Sequence, residues 1–457
     1  MCRDRVARKT FRTVSAIPLL GHGACAINLL PREVARPLIG VFWDYGSIGM
    51  ADLAHSAEGL ADLAFVIDRR SPYGASAARL ASHFGTVVDA PVADHDLSTA
   101  LASCDGLATF ADSQIVRMAR IAELLGLPQH SPQTALAPLT DKHERRRRLA
   151  AAGIPTPVHA LLTAGCRSDE CLRHAATVPF PAVLKPRRGT ASRNTWRLDH
   201  GAHLAAIGEL CEATPGSLLP EDYVVEQMRI GDARPAPYGH YVSVEVASSD
   251  AVHHPIDVSV PSAGSPAEGG LFVPDELSRA ERSDVIDLAD AALDALGVVW
   301  GVSHTQVTLT ADGPRIIEVN GRLGGFADAV YRKAGLAEVA RDALLCALGR
   351  PPEPVGLATQ TAAVLLFPMP LGGPPPRRDL ARAAGRLRRV PGSWRVETPV
   401  PGPGGSRVDD GTMSSPLTAW IDTERVRLRQ VVESAVREVT SELGSMHLSG
   451  FVTEVSA

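Results

Sequence analysis

From Arg36 onward, short apolar runs alternate with stretches of helical period, and this alternation is the main structural signal in the chain. LIGVFWD (Leu38–Asp44), LAFVID (Leu63–Asp68), TVVDA (Thr86–Ala90) and DGLATF (Asp105–Phe110) each read as a strand. Met50–Leu60, Ala75–Phe84 and the amphipathic IVRMARIAELLGL (Ile115–Leu127) read as helices. Strands separated by helices imply a parallel, helix-covered sheet, so the chain begins its ordered part with a small α/β layer ending near Pro138.

The pattern then changes. DKHERRRRLAAAGIPTP (Asp141–Pro157) is a charged helix stopped by Gly153 and two prolines. Its four consecutive arginines, 145–148, point around the whole helix, which favours a solvated face over a basic patch. PFPAVLKPRRGTASRNTWRL (Pro179–Leu198) reads as strand, glycine-containing turn and strand, and YVVEQMRIG (Tyr223–Gly231) as a further strand. Residues 180–230 are therefore a small, strand-rich unit. DARPAPY (Asp232–Tyr238) reads as an irregular insertion, and HYVSVEVAS (His240–Ser248) alternates as a strand. The Gly/Ser/Pro-rich VPSAGSPAEGG (Val260–Gly270) is expected to be a mobile loop. A helix over Ser278–Leu296 leads into VVWGVSHTQVTLT (Val298–Thr310), the turn ADGP and RIIEVNGR (Arg315–Arg322), which together make a hairpin. Helices around Val330–Leu348 follow, then Pro/Gly-rich loops and one helix over Thr423–Leu443, with no internal repeat.

Composition narrows the function classes. The 457 residues predict two to four domains, and 45% hydrophobic with 21% charged residues is a globular balance. A formal net charge of -5 gives no reason to expect nucleic acid as a partner. The seven cysteines, at 2, 25, 104, 166, 171, 211 and 346, are scattered and lack paired CxxC spacing, which fits a reduced cytoplasm. The basic MCRDRVARKTF and the mildly apolar run after it faintly resemble a signal peptide, but Gly21, His22, Gly23 and Asn28 interrupt the run. An N-terminal extension is the better reading. No stretch approaches the ~20 apolar residues that span a bilayer, so no membrane partner is expected.

The candidate chemistry centres on IEVNGRLGG (Ile317–Gly325). A strand there puts Glu318 and Asn320 on one face and turns Ile317 and Val319 toward a core. A carboxylate and an amide oxygen side by side are hard donors suited to Mg²⁺ on nucleotide phosphates, although a Glu-x-Asn-x-Arg strand taken alone is more often an exposed ladder. Arg322 continues that face, where a guanidinium would neutralise a phosphate or a developing oxyanion. Gly321, Gly324 and Gly325 permit close approach of backbone and ligand. The partner strand places His304 and Gln306 together on one face, although such a histidine is more often a hydrogen-bonded structural residue than a ligand. Lys185 precedes a turn containing Gly189 and small residues whose backbone N–H groups suit phosphates; an ordinary strand-end lysine is the alternative. Lys142 is a weaker signal. Glu226 ends an apolar strand and needs donors there, an adenine amino group being one.

Taken in order, these segments resemble the ATP-grasp superfamily, and within it the carboxylate–amine ligases that include the dipeptide-forming L-amino acid ligases. The resemblance covers about Arg36 to Gly349 and rests on Asp141–Lys142 followed by AGIPTP, PAVLKPRRGTAS, VVEQMRIG and GVSHTQVTLTADGPRIIEVNGRLGG. It implies an α/β ATP-grasp fold with α+β elements. A Rossmann-like pre-ATP-grasp domain would span 36–138, an ATP-grasp domain 139–349 with a lid subdomain at about 155–230, and a C-terminal domain 350–457, after an extension of 1–35. It further implies that Lys142 and Lys185 bind ATP phosphates, that Arg188, Gly189, Thr190, Ala191 and Ser192 form a lid, and that Glu226 with the backbone of Gln227 and Met228 holds adenine. Glu318 and Asn320 would hold Mg²⁺, or Mn²⁺ in its place, and Arg322 would stabilise the reacting carboxyl group. His304, Gly324, Gly325 and Phe326 fall where substrate is expected. Two positions depart from the family: Gln306 stands where a metal-binding glutamate is usual, and Asp232 is the nearest candidate for the ribose-binding acid. The implied reaction joins a small carboxylate and an amine, amino acids above all, into an amide or dipeptide of specialised metabolism. Purine-type or carboxylating ATP-grasp ligases and a non-catalytic nucleotide-binding protein are the alternatives. Members are often dimers, so the resemblance admits a homodimer.

Overall fold

The computed structural model describes residues 36–71, 73–90, 93–189, 194–201, 207, 219, 221–228, 238–261, 270–367, 375–398 and 417–443. Strands β1 (Leu38–Phe42), β2 (Asp62–Ile67) and β4 (Gly106–Thr109) are nearly continuous buried apolar runs, as parallel strands covered on both faces must be, and β3 (Thr86–Asp89) is a half-exposed edge strand. They form a parallel sheet in the order β3-β2-β1-β4. Helices α1 (Met50–Ala57), α2 (Gly74–Ala81) and α3 (Asp94–Ala100) connect the strands, and α4 (Ile115–Leu125) and α5 (Pro132–Leu136) follow. The strand order reverses between β1 and β4, so the loops after those two strands flank a crevice of the kind in which open α/β sheets receive ligands. Ser47 ties the two loops together, its amide and hydroxyl donating to the Phe110 carbonyl at 2.9 and 3.0 Å. Helix α3 went unread in the sequence because DHDLSTA has no apolar stripe; its Asp94 and Asp96 suit a helix N-terminus.

Helix α6 (Lys142–Ala151) begins at Asp141, whose carboxylate caps it by accepting from the Glu144 amide at 3.0 Å. A second sheet follows: β5 (His159–Leu162), α7 (Ser168–Ala175), β6 (Ala182–Pro186), β7 (Trp196–Leu198) and β8 (Tyr223–Gln227), antiparallel in the order β5-β8-β6-β7. It has its own small core, including Leu162, Cys171, Leu184, Tyr223 and Val225.

The third sheet contains β9 (Tyr241–Ser249), β10 (Val252–Pro261) and β11 (Gly270–Val273), then, after α8 (Arg279–Leu296), β12 (Gly301–Thr310) and β13 (Gly313–Asn320). Beyond α9 (Ala327–Ala334) and α10 (Val339–Ala347) it gains β14 (Thr361–Phe367), and after α11 (Arg377–Leu387) it gains β15 (Ser393–Glu397) and β16 (Leu417–Thr423); α12 (Leu428–Leu443) ends the described chain. The order is β13-β12-β9-β10-β11-β14-β16-β15. The strands after residue 350 thus extend the sheet of the strands before it.

The two faces of this sheet differ. Val244, Val246, Val258, Phe272, Val307, Ile316 and Val319 pack against Val285, Ala289 and Leu293 of α8 and against α11 and α12. The opposite face is polar near the β13 edge, and farther along it carries Leu271, Val364 and Trp420, which join α9, α10 and the β1–β4 layer in a second core.

Three expectations need correction. Ile317 does not point into the core: the register shifts between the pairs Gln306–Glu318 and Val307–Ile316, so Ile317 is the extra residue of a β-bulge and Ile316 is buried instead. The expected loop Val260–Gly270 starts and ends in strands, β10 and β11, and its residues 262–269 lie outside the described ones. The C-terminal helix starts at Leu428, because Leu417–Thr423 pairs with β14 as a strand. No described helix is long and apolar enough to cross a membrane.

Candidate functional site

Residues directly opposite one another in antiparallel strands share a face. Glu318 on β13 lies opposite Gln306 on β12, then Ser243 on β9 and Ser259 on β10. The neighbouring row runs Asn320, His304, Glu245 and Asp257. The hairpin therefore brings Glu318, Asn320, Gln306 and His304 together as expected from its alternation, the bulge at Ile317 sparing the Glu318–Asn320 spacing.

Helix α6 lies at the β13 edge of these rows, beside α8. Its buried residues are Lys142, Arg145, Arg146 and Leu149, the i, i+3, i+4, i+7 stripe of an amphipathic helix. This overturns the reading of residues 145–148 as a solvated face. Only Arg147 and Arg148 fit that reading, pairing with Glu144 on the outside at 2.8 and 2.9 Å. Arg145 donates to Glu318 Oε1 at 3.2 Å and to the carbonyls of Pro138 and Leu139 at 2.9 and 3.0 Å. Arg146 grips both oxygens of Glu226 at 3.1 Å and reaches the Ile316 carbonyl at 3.0 Å and that of Ile317, the bulge residue. One guanidinium thus joins β8 of the second sheet to β13 of the third.

Lys185 on β6 meets Glu226 Oε2 at 2.7 Å. Lys142 donates through Nζ to the Gly189 carbonyl at 2.8 Å, so it holds the start of the expected lid turn. Asp141 holds the same turn through Arg187 at 2.7 Å and Arg188 at 3.2 Å. Thr190, Ala191, Ser192 and Asp232 lie outside the described residues. Glu226 is engaged by Arg146 and Lys185, and the amides of Gln227 and Met228 donate to the carbonyls of Val158 and Pro181 at 2.8 and 2.7 Å. The groups that the resemblance assigns to adenine are thus engaged within the protein, while Gln227 Oε1 is buried without a partner among the described residues.

The electrostatics follow from this crowding. Burial alone would raise the Glu318 carboxyl, but Arg145, Lys185 and Lys142 outweigh it and hold it at about 2. Arg146 and Lys185 hold Glu226 well below the usual carboxylate range against its burial. Burial, with Lys185 and Arg145 adding to it, lowers Lys142 to about 8 despite the opposing pull of Glu318.

Arg322 meets Asp112, in the loop after β4, at 2.9 and 3.1 Å, which ties the hairpin to the switch-point crevice. His304 Nδ1 lies 2.5 Å from Glu245 Oε1, and the Gly324 amide donates to the same carboxylate at 3.1 Å. A Cβ on Gly324 would stand 2.5 Å from both Glu245 Oε1 and His304 Nδ1, whereas one on Gly325 would meet nothing within 4 Å. Gly324→Ala is therefore expected to cost about 1–3 kcal/mol by forcing the turn off the pair, and Gly325→Ala close to nothing; paired denaturant midpoints measure the contrast. Phe326 has φ 65° and sets its ring against Trp420, centroids 5.9 Å apart.

Asp112 and Glu245 were not singled out from the sequence, Asp141 entered only through the Asp141–Lys142 motif, and Arg145 and Arg146 only as part of the arginine run. Leu149 marked the buried stripe on which Arg145 and Arg146 lie. Glu245 falls on the polar face of an alternating strand, which sequence alone reads as solvent-facing although the structure buries it. Asp112 gave no local signal.

As a metal site, Glu318, Gln306 and Asn320 offer one carboxylate and two amide oxygens on adjacent strands, hard donors that fit a divalent cation shared with phosphate oxygens. No cluster of three His, Cys, Asp or Glu side chains suited to a metal occurs among the described residues.

No protein-family model matches the chain. A D-alanine–D-alanine ligase of Frankia casuarinae is 28% identical over 215 residues, 45% of this chain and 54% of that protein. The chain spans about half or less of the curated relatives it matches, from 28% to 55% of their lengths. The L-amino acid ligase of Bacillus licheniformis superposes with a TM-score of 0.66 at 17% identity, covering 89% of this chain and 98% of that one. An N5-carboxyaminoimidazole synthase of Aspergillus clavatus, solved with ADP, gives 0.68 at 15% identity over 89% and 99%. The chain has the fold of the ATP-grasp ligases.

Proposed function

We propose that this chain is an ATP-dependent carboxylate–amine ligase that forms an amide or peptide bond between amino acids, or a related acid and amine, by way of an acyl phosphate. The observation that carries the reading is the convergence of Lys142, Lys185 and Arg145 on the face that presents Glu318, with Arg322 two residues past Asn320. Such a site attracts a polyphosphate and can offset charge as a phosphoryl group moves.

The substrate carboxylate oxygen attacks the γ-phosphorus and ADP leaves, which turns a poor oxide leaving group into phosphate. The neutral amine then attacks the acyl carbon, phosphate leaves, and the nitrogen loses its proton. Lys142 and Lys185 hold the transferring phosphate, and Arg322, braced by Asp112, stabilises the tetrahedral oxyanion. A divalent cation held by Glu318, Asn320 and Gln306 would neutralise phosphate charge. Water would hydrolyse the acyl phosphate, so the turn that Lys142 and Asp141 hold is the natural lid.

The neighbours allow two substrate types. Relatives named D-alanine–D-alanine ligase favour amino acids over the ribonucleotide bound by the Aspergillus synthase. Incubation with ATP, Mg²⁺ and pooled amino acids, read by mass spectrometry, tests this. Amine-dependent release of ADP and phosphate with a new amide is expected; tight ATP binding without turnover would sink the proposal.

Lys142 adds a pH dependence. With its proton leaving at about 8 in the free protein, and phosphate favouring the charged form, nucleotide affinity is expected to be full below pH 8 and to fall above it. Calorimetry in buffers of different ionisation heat should show proton uptake on nucleotide binding near pH 8. The ligand-free fold follows the opposite sign, gaining stability as pH rises from 8 toward the ordinary lysine range.

A further inference from the structure

We infer that the nucleotide site takes one divalent cation rather than two, and that the fixed guanidinium of Arg145 stands in for the charge of a second; the inference rests on reading the site as an ATP site. The rows of the sheet supply its first ground. Opposite Glu318 come Gln306, Ser243 and Ser259, so this row holds one carboxylate and otherwise neutral oxygens. The carboxylates nearby are engaged elsewhere: Glu245 by His304 and the Gly324 amide, Asp257 by Arg282, Glu226 by Arg146 and Lys185, and Asp112 by Arg322. Among the described residues of these rows, Glu318 is the carboxylate left to offer a full negative charge to an arriving cation, and Arg145 already takes its Oε1.

The second ground is how Arg145 is held. It is 4% exposed, and two of its three arms are spent on the carbonyls of Pro138 and Leu139, so it cannot swing aside as a surface arginine would. A charge pinned in this way is a permanent part of the site, pre-organised beside the position a phosphate must reach. Around Glu318 and Glu226 stand four cations, Lys142, Arg145, Arg146 and Lys185. A second dication would enter a region where the protein's own cations outnumber its carboxylates, with no further unengaged carboxylate among the described residues to receive it. One Mg²⁺ arriving with the nucleotide meets Glu318 and amide oxygens, an ordinary arrangement for that ion.

Manganese stoichiometry tests this. Free Mn²⁺ is measured by electron paramagnetic resonance on the full chain with a saturating non-hydrolysable ATP analogue, and nucleotide binding is measured separately by displacement of a fluorescent ATP. One bound Mn²⁺ per chain is expected, and two would overturn the inference while leaving the ATP site intact. Absence of nucleotide binding would overturn the ATP-site reading and this inference with it. Gln306→Glu alone should still bind one Mn²⁺, with any second at least about 10-fold weaker, because Arg145 remains. Gln306→Glu with Arg145→Gln should bind two. Full binding of two ions by Gln306→Glu alone, or of one by the folded double variant, would remove Arg145 from the account. Should the double variant fail to fold, the wild-type and Gln306→Glu counts still decide, and Arg145→Lys, which keeps the charge, should stay at one.

Discussion

Replacing Glu318 with alanine is expected to lower amine-dependent ADP release by about 10³-fold or more, the scale of losing a pre-organised group that acts on charge in the transition state. Glu318 is the one carboxylate of its row, and Arg145, Lys185 and Lys142 keep it ionised. Its loss removes the charged donor for a cation and leaves Arg145 buried beside an empty position, so two effects must be separated. Glu318→Gln keeps the side-chain volume and an oxygen for Arg145 but not the charge. If charge is what matters, Glu318→Gln should be nearly as inactive as Glu318→Ala while its unfolding midpoint stays close to wild type. Turnover within about tenfold of wild type in either variant would mean that this strand is not the reacting end of the site. The companion Gln306→Glu asks the reverse question, whether added charge in the same row helps or hinders turnover.

The hairpin could be read from sequence because its chemistry is local. Alternation alone places Glu318, Asn320, His304 and Gln306 on one face, and antiparallel pairing does the rest. The β1–β4 layer was legible for the same reason, each strand being a short apolar run between helical stretches. What could not be read depends on contacts distant in sequence. Arg146 looked like one cation in a run of four, and its value lies in reaching Glu226, 80 residues away, and the Ile316 carbonyl, 170 away. The bulge at Ile317 inserts a residue that no period-two pattern anticipates, and its carbonyl finds its donor in that same arginine. Glu226 was correctly seen to need donors; these are side chains of the protein itself. β10 escaped notice because His253, His254 and Pro255 break its apolar alternation, although it pairs with β9 along most of its length.

Arg146→Met is expected to destabilise the fold by about 3–5 kcal/mol, the cost of removing one partner from a buried ion pair. The residue is 2% exposed and Glu226 5%, so neither group can turn to water when the other goes. Methionine keeps the length of the side chain but leaves the carbonyls of Ile316 and Ile317 without a donor and Glu226 with Lys185 alone. Arg146→Lys preserves the charge without the planar fork, so it should fall between wild type and methionine. Glu226→Gln in the Arg146→Met background should cost less than the two single changes added together, because each already breaks the same contact. Denaturant midpoints for these variants measure the coupling. Because Arg146 joins β8 to the β13 bulge, its loss should speed amide exchange in both strands. Equal destabilisation without that paired loss of protection would mean that the arginine serves only as a local counter-ion to Glu226. Loss of protection in both strands would mean that the relative placement of Lys185 and Glu318, on which phosphate and cation both depend, is set by this one side chain.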